Sequence, residues 1–284
     1  MDLCSIKTVR QVMAVFGQSF RKEFGQNFLT DRSVVEEIAD ACFPTPDCTV
    51  LEIGPGIGTL TRELCARYRR VVALEIDNGL IPILQYTLSD CPNVTVLRED
   101  VLRADLAAIL SGAFREGPVV VCANLPYYIT SPILMKLLEC GLPFDAVTVM
   151  VQSEVADRIC ARPGAKDYGA ITAVIAYYGS AERLFTVPAD RFVPAPKVNS
   201  AVLRIRLYAP AERPCHPNSE EKLFQVVKAA FGQRRKTLVN ALSTGFPDLP
   251  KDRIAAAVTA VAGDPAVRGE RLSISQFSDL SDLL

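Results

Sequence analysis

Histidine occurs once in this chain, as His216 in the stretch Pro214-Cys-His-Pro217. Protein zinc sites draw several ligands from His and Cys. With no second histidine and no Cys-x-x-Cys pair, no metal is expected. The nine cysteines are an odd number and fall mostly inside apolar runs, as Cys65, Cys122 and Cys140 do. They are expected as unpaired, buried thiols of a reducing compartment. Also missing is any apolar stretch long enough to span a bilayer. The N-terminus, MDLCSIKTVRQVMAVFG, carries an Asp and lacks the uninterrupted apolar core and small-residue cleavage site of a signal peptide. Its residues Ile6, Val9, Val12, Met13 and Phe16 are spaced for a short amphipathic helix. The cytoplasm is the expected compartment, with no membrane partner. A surplus of one charge is absent too, since 31 Lys and Arg face 32 Asp and Glu for a net −1. Composition therefore gives no general attraction to nucleic acid. Any RNA contact has to come from local basic clusters.

What is present is a globular profile, 284 residues with 49% hydrophobic and 22% charged. That length suits one large domain or a large one plus a small one, and needs no disulfide or metal to hold it. Runs rich in β-branched residues recur at Thr49–Ile53, Val71–Glu75, Val94–Leu97, Val119–Cys122 and Ala146–Val151. All five read as buried strands. Segments of helical spacing lie between them, such as Thr59–Tyr68 and Ile133–Leu138. The alternation predicts an α/β fold, a mostly parallel Rossmann-like sheet covered on both faces. Ser200–Leu207 alternates near its end and reads as an edge or antiparallel strand. After the proline-rich stretch Tyr208–Ser219 the periodic segments are all helical, at Glu220–Phe231, Arg234–Leu242, Asp252–Ala262 and Ser275–Leu284. The expected division is a sheet domain over 1–209 and a small all-α domain over 210–284.

The strongest local signal is Leu51-Glu-Ile-Gly-Pro-Gly-Ile-Gly-Thr-Leu60, a strand that runs through a glycine turn into a helix. Such a turn lets a ligand approach the backbone at a helix N-terminus, and by itself it fits a dinucleotide equally well. Four features favour S-adenosylmethionine. The glycines are spaced Gly54-x-Gly56-x-Gly58, and Glu52 just ahead would repel a pyrophosphate. Glu75 ends the next strand, where a carboxylate can accept both ribose hydroxyls. Asp100 ends the third, placed to accept from an adenine amine. Each carboxylate taken singly also fits a cap or a solvated surface.

Asn124-Leu-Pro-Tyr127 follows the fourth strand, at the edge where open α/β sheets bind ligands. The N6 lone pair of adenine is delocalised into the ring and attacks poorly. Two acceptors on its N–H bonds, the Asn124 side-chain oxygen and the Leu125 carbonyl turned inward by Pro126, would localise that pair. Tyr127 offers a face on which a flipped base can stack. Phe192, in the proline-stiffened loop Pro188–Pro196, is expected as the other wall of the base slot, with core packing as the alternative.

These residues fall in motifs that run nearly the length of the chain. They are Lys22-x-x-Gly-Gln-Asn-Phe-Leu29, Leu51–Gly56, Ala73-Leu-Glu-x-Asp77, Glu99-Asp100, Asn124–Tyr127, Gln152-x-Glu-Val-Ala-x-Arg158, Phe192-x-Pro-x-Pro-Lys-Val198, Asn199–Val202 and Phe231-x-x-Arg-Arg-Lys-x-Leu238. In order and spacing the chain resembles the ribosomal RNA adenine N6,N6-dimethyltransferases, most closely the bacterial small-subunit (16S) branch. The resemblance implies that Gln26, Asn27 and Leu29 close over the cofactor. Without it that segment reads only as an exposed loop before a helix capped by Thr30 or Asp31. It also implies a helical domain that grips the small ribosomal subunit, and two adjacent adenosines near the 3′ end of 16S rRNA as substrate, each methylated twice. Lys22, Arg234, Arg235 and Lys236 are the expected RNA contacts, on a chain expected to be monomeric. The rivals are a large-subunit (23S) adenine dimethyltransferase of the antibiotic-resistance type, a non-catalytic assembly or transcription factor, and a small-molecule methyltransferase. Arg234–Lys236 and the Gly-Pro-Gly turn are more similar to the small-subunit branch. The intact Asn124–Tyr127 speaks against a non-catalytic factor, and a small-molecule enzyme would have no use for the basic helical domain.

Overall fold

The runs of β-branched residues form a sheet with a defined order. The computed structural model describes residues 1–21 and 25–284. Its strands are β1 (Phe28–Leu29), β2 (Thr49–Ile53), β3 (Arg70–Glu75), β4 (Val94–Arg98), β5 (Val119–Asn124), β6 (Ala146–Gln152), β7 (Gly179–Val187), β8 (Phe192–Val193) and β9 (Ser200–Leu207). Seven of them make one sheet in the order β4-β3-β2-β5-β6-β9-β7, and β1 pairs with β8 apart from it. From β4 to β6 the pairing is parallel throughout. Strand β9 runs antiparallel to β6, with Gln152 opposite Ser200. The expected antiparallel strand is therefore present, but as an interior strand, because β7 lies outside it. Strand β4, expected to be buried, is the other edge and alternates between half-buried and exposed residues.

Chain order places β3 and β4 on one side of β2 and β5 on the other. The crevice at the C-terminal ends of β2 and β5 is thus a point where strand order reverses, the place where such sheets bind ligands. One face of the sheet is covered by the helices Arg32–Cys42 and Thr59–Arg67. Their apolar sides join Val50, Val71, Val120, Cys122 and Met150 in a continuous core. Asp31 caps the first of these helices, accepting from the Ser33 and Val34 amides. Buried Tyr68 spends its hydroxyl on that helix's last turn, donating to the Ala39 carbonyl at 2.7 Å and accepting from the Phe43 amide at 3.1 Å. The N-terminal segment forms the expected amphipathic helix, Ile6–Val15. It buries Val9, Val12 and Met13 against Phe28, Ile57, Leu80 and Ile83. All nine cysteines are free thiols, of which Cys42, Cys48 and Cys122 are buried and the rest, Cys65 and Cys140 included, half-buried.

The chain divides into two compact units, 1–156 with 182–207, and 157–181 with 208–284. The helical unit is thus assembled from two stretches, whereas the sequence suggested one boundary near 210. Its additional helix is Ala170–Tyr178, AITAVIAYY, which has no polar face because most of its residues are buried. Helices Glu220–Gly232, Leu238–Gly245, Lys251–Ala262 and Ile274–Leu283 complete the unit. An aromatic chain runs through it, with Tyr168 and Phe231 centroids 5.8 Å apart and Phe231 and Phe277 5.9 Å apart. A Cβ at Gly245 would collide with that of Ala229, so two helices cross there at a distance only glycine permits. The proline-rich stretch is fastened to this unit. Arg213 lies 4.7 Å over the Tyr177 ring and pairs with Glu220 at 2.5 Å. No helix among the described residues is long and apolar enough to cross a membrane.

Candidate active site

Strand β2 leads into a turn in which Gly54, Gly56 and Gly58 take φ of +69°, +62° and +89°. L side chains rarely adopt that region, so glycine here is a backbone requirement. Gly58 is the N-cap of helix Thr59–Arg67, whose first amides face the turn. A Cβ at Gly54 would meet nothing within 4 Å, whereas at Gly56 it would lie 2.9 Å from the Phe28 ring. The turn is open on one side and roofed by Phe28 on the other.

Glu75 is the last residue of β3 and is 5% exposed. Its Oε2 accepts from the Gly56 amide at 3.1 Å and its Oε1 from the Asp77 amide at 2.8 Å. Burial raises its pKa, and those two N–H groups partly oppose the rise. Each oxygen keeps a lone pair, which is what a ribose diol needs. Asp100 stands two residues beyond the end of β4, with Oδ1 accepting from the Leu102 amide at 3.0 Å and Arg103 3.6 Å from Oδ2. Glu52 is 1% exposed. Burial pushes its carboxyl up to about 8, with nearby Glu75 adding to the rise and Thr61 opposing it. The Thr61 hydroxyl makes no well-formed hydrogen bond to it, since Glu52 Oε2 and Thr61 Oγ1 are both buried without a partner among the described residues. Glu52 is not the anion that its place ahead of the glycine turn suggested. At neutral pH this carboxyl is mostly protonated and would not repel a pyrophosphate as an anion.

Asn124 ends β5, and its Nδ2 donates to the Asn27 carbonyl at 3.2 Å. That bond fixes the amide so that Oδ1 is left for a ligand. Leu125 is 1% exposed and its amide donates to Met150 O at 3.2 Å. Pro126 at φ −59° and ψ 127° turns the chain into the short helix Tyr127–Ile129. The Tyr127 hydroxyl sits 2.5 Å from Ser200 Oγ, and burial raises its pKa, so the phenol stays neutral.

One pocket brings together Gln26, Asn27, Leu29, Gly54, Gly56, Glu75, Asp100 and Asn124 through Tyr127, with Glu52 and Phe28. Phe192 is not part of it. It is 2% exposed, pairs with Leu29 across β1 and β8, and packs among Val35, Ile38 and Val187. Phe192 is buried in the apolar core and does not line this pocket, so its position favours the alternative of core packing over the expected base-stacking role. Lys22 lies outside the described residues. Arg234, Arg235 and Lys236 are exposed, in a turn and not at the start of a helix as expected. Arg234 is already engaged, donating to the Lys166 carbonyl at 2.7 Å and the Tyr168 carbonyl at 3.2 Å.

Sequence reasoning gave no role to Asp77, which is 2% exposed. It pairs with Arg21 at 3.1 Å and accepts from Gln26 Nε2 at 2.9 Å, so it ties the segment before β1 to the end of β3. The signal was its place two residues after Glu75. Among the described residues no group of His, Cys, Asp and Glu could hold a metal.

A family model described as ribosomal RNA adenine dimethylase matches residues 17–282. The chain belongs to that family. Ribosomal RNA small subunit methyltransferase A of Geobacillus thermodenitrificans is 47% identical over all of this chain and 97% of its own length. The protein of that name from Bacillus cytotoxicus is 46% identical with the same coverage. Among solved structures, the 23S rRNA methyltransferase ErmE is 31% identical with a TM-score of 0.68, over 91% of this chain and 99% of that one. A dimethyladenosine transferase from Plasmodium falciparum, 21% identical with a TM-score of 0.70 over 89% and 95%, shares the fold. The chain is an S-adenosylmethionine-dependent ribosomal RNA adenine methyltransferase. Its residues fit that cofactor, with open space over Gly54, the buried acceptor Glu75 and the unpartnered Glu52.

The charge state of Glu52 makes a stability prediction. Its folded pKa lies above the unfolded value near 4.5, so between those pH values the folded state holds a proton that the unfolded chain has lost. Stability from this group therefore falls as pH rises through that window. Ligand-free Glu52→Gln should melt higher than wild type at pH 8, with the gap closing toward pH 5. An offset that is the same at both pH values would mean that Glu52 is ionised in the fold.

Proposed function

We propose that this protein dimethylates N6 of two adjacent adenosines near the 3′ end of 16S rRNA in the small ribosomal subunit, as a cytoplasmic monomer acting in ribosome assembly. S-adenosylmethionine, when bound, supplies a methyl group made electrophilic by its sulfonium. Glu75 would accept from the ribose hydroxyls and Asp100 from the adenine amine, while the open space over Gly54 would take the methionine chain that leaves the ribose. Gln26, Asn27 and Leu29 form the wall that closes over it.

Asn124 Oδ1 and the Leu125 carbonyl accept the two N–H bonds of the target amine and turn its lone pair away from the ring. Neither is a strong base, so the proton leaves after attack. Tyr127 stacks on the base and Pro126 sets the direction of the Leu125 carbonyl. The observation that carries this reading is the Asn124 amide, held by Asn27 with its oxygen left over. The preference for the small subunit rests on identities of 46–47% to relatives named for it, against 31% to the 23S enzyme. The test is methyl transfer to purified, unmodified subunits. Label from tritiated cofactor should enter small subunits as N6,N6-dimethyladenosine; entry into large subunits alone would favour the 23S reading.

Asn124→Ala should keep its cofactor affinity and lose turnover by something on the order of 10²–10³. Single-turnover methylation measures it, and an undiminished rate would mean that other groups hold the amine. Arg235 and Lys236, with Lys22, are the proposed phosphate contacts, while Arg234 also braces its own unit. Replacing Arg235 and Lys236 by Ala should weaken small-subunit binding and flatten the log–log salt dependence by about 0.7 per lost contact. Wild-type affinity and slope would make the pair a solvated turn.

A further inference from the structure

Glu52 has no part in the mechanism above, yet it is a buried carboxyl among the residues that line the cofactor pocket. It lies on β2 between Ala73 of β3 and Cys122 of β5, two residues before Gly54. The groups that act on it electrostatically are few. Glu75 faces it from β3. Cys65, on helix Thr59–Arg67, has its pKa raised chiefly by burial, and Cys122, on β5, chiefly by its contact with Cys42 and by burial, with Glu52 a smaller cause in each, so both stay neutral thiols. Thr61 contributes a hydroxyl without a settled partner. Among the described residues no cation acts on it. An isolated carboxylate in such a place is costly and takes a proton instead. With its pKa pushed up to about 8, this carboxyl is mostly protonated at pH 7.

With the ribose at Glu75 on β3 and the acceptor amine at Asn124 on β5, as proposed above, the sulfur between them lies over the end of β2, the strand that carries Glu52, so the reaction changes charge next to this group. S-adenosylmethionine carries a positive sulfur as well as an ammonium, while S-adenosylhomocysteine, the product, has a neutral sulfur. A nearby positive charge favours the ionised carboxyl. We propose that Glu52 distinguishes cofactor from spent product by releasing its proton to solvent when the charged cofactor enters and regaining it once the sulfur is neutral. Over one turnover Glu52 gives up one proton on loading and regains one when the sulfur is neutral, so the only net proton released is the one displaced from the target N6. The buried acid thus strengthens binding of the charged form alone and helps the product to leave, with no contact that needs to be rebuilt.

The proposal rests on the cofactor assignment and is tested by a quantity other than turnover. Calorimetric titration of the full-length protein at pH 7, in buffers of different ionisation enthalpy, counts the protons released per ligand bound. Wild type should release a large part of one proton with S-adenosylmethionine and less than half as much with S-adenosylhomocysteine. In Glu52→Gln the release with cofactor should fall toward zero, and the preference for cofactor over product should shrink several-fold. The cofactor's own α-amino group titrates alike in both variants, so the difference between them isolates Glu52. Equal release with both ligands in wild type would overturn the proposal without any variant. So would undiminished release in Glu52→Gln, which would assign the proton to Glu75 or the ligand. A wild-type protein that bound neither ligand would remove the cofactor site itself.

Discussion

A carboxylate buried at the end of a parallel strand has to be held by backbone amides, and Glu75 is held by two. Gly56 reaches it from the glycine turn and Asp77 from the loop beyond its own strand. The first bond requires Gly56 to turn its N–H inward at a positive φ, and it joins the ends of β2 and β3 into one rigid rim. Asp77 then takes Arg21 and Gln26, which carries the constraint into the N-terminal segment. Asn27 in that segment holds Asn124. Cofactor wall and methyl-acceptor site are thus linked through a short series of hydrogen bonds that starts at one buried acid. Hydrogen bonds to ionised groups are the stronger kind, and burial strengthens them further.

Much of this rim was legible in the sequence because strand ends are legible. The β-branched runs locate β2, β3 and β5, and parallel pairing brings their final residues to one edge. Glycine spacing, Glu75 and Asn124–Tyr127 all follow from position on those strands. Burial was harder to read. Phe192 has the company of prolines that suggests an exposed loop, yet its pairing with Leu29 draws it into the core. Glu52 looks like an anion, and only its surroundings make it a neutral acid.

The unit boundary failed to show for a related reason. Helix Ala170–Tyr178 is apolar nearly all round, so its period gives no face and no partner. Strand β7, Gly179–Val187, is an edge strand whose exposed residues hide its pattern. Arg234 stands in a basic triplet, but its carbonyl partners Lys166 and Tyr168 come from far back in the chain. Local composition cannot distinguish a tether of that kind from a free phosphate ligand. Net charge is of as little help, since −1 overall leaves recognition to a few placed cations.

The central claim is that these strand ends together build a dimethylating site for two neighbouring adenosines of the small subunit. Its most direct test is the modification state of native rRNA in cells that lack the gene and in the same cells with it restored, mapped by mass spectrometry of fragments from the 3′ end of 16S rRNA. The account predicts two adjacent N6,N6-dimethyladenosines that disappear on deletion and return with the gene. Dimethylation that persists in the deletion strain, or that is lost from 23S rRNA instead, would contradict it.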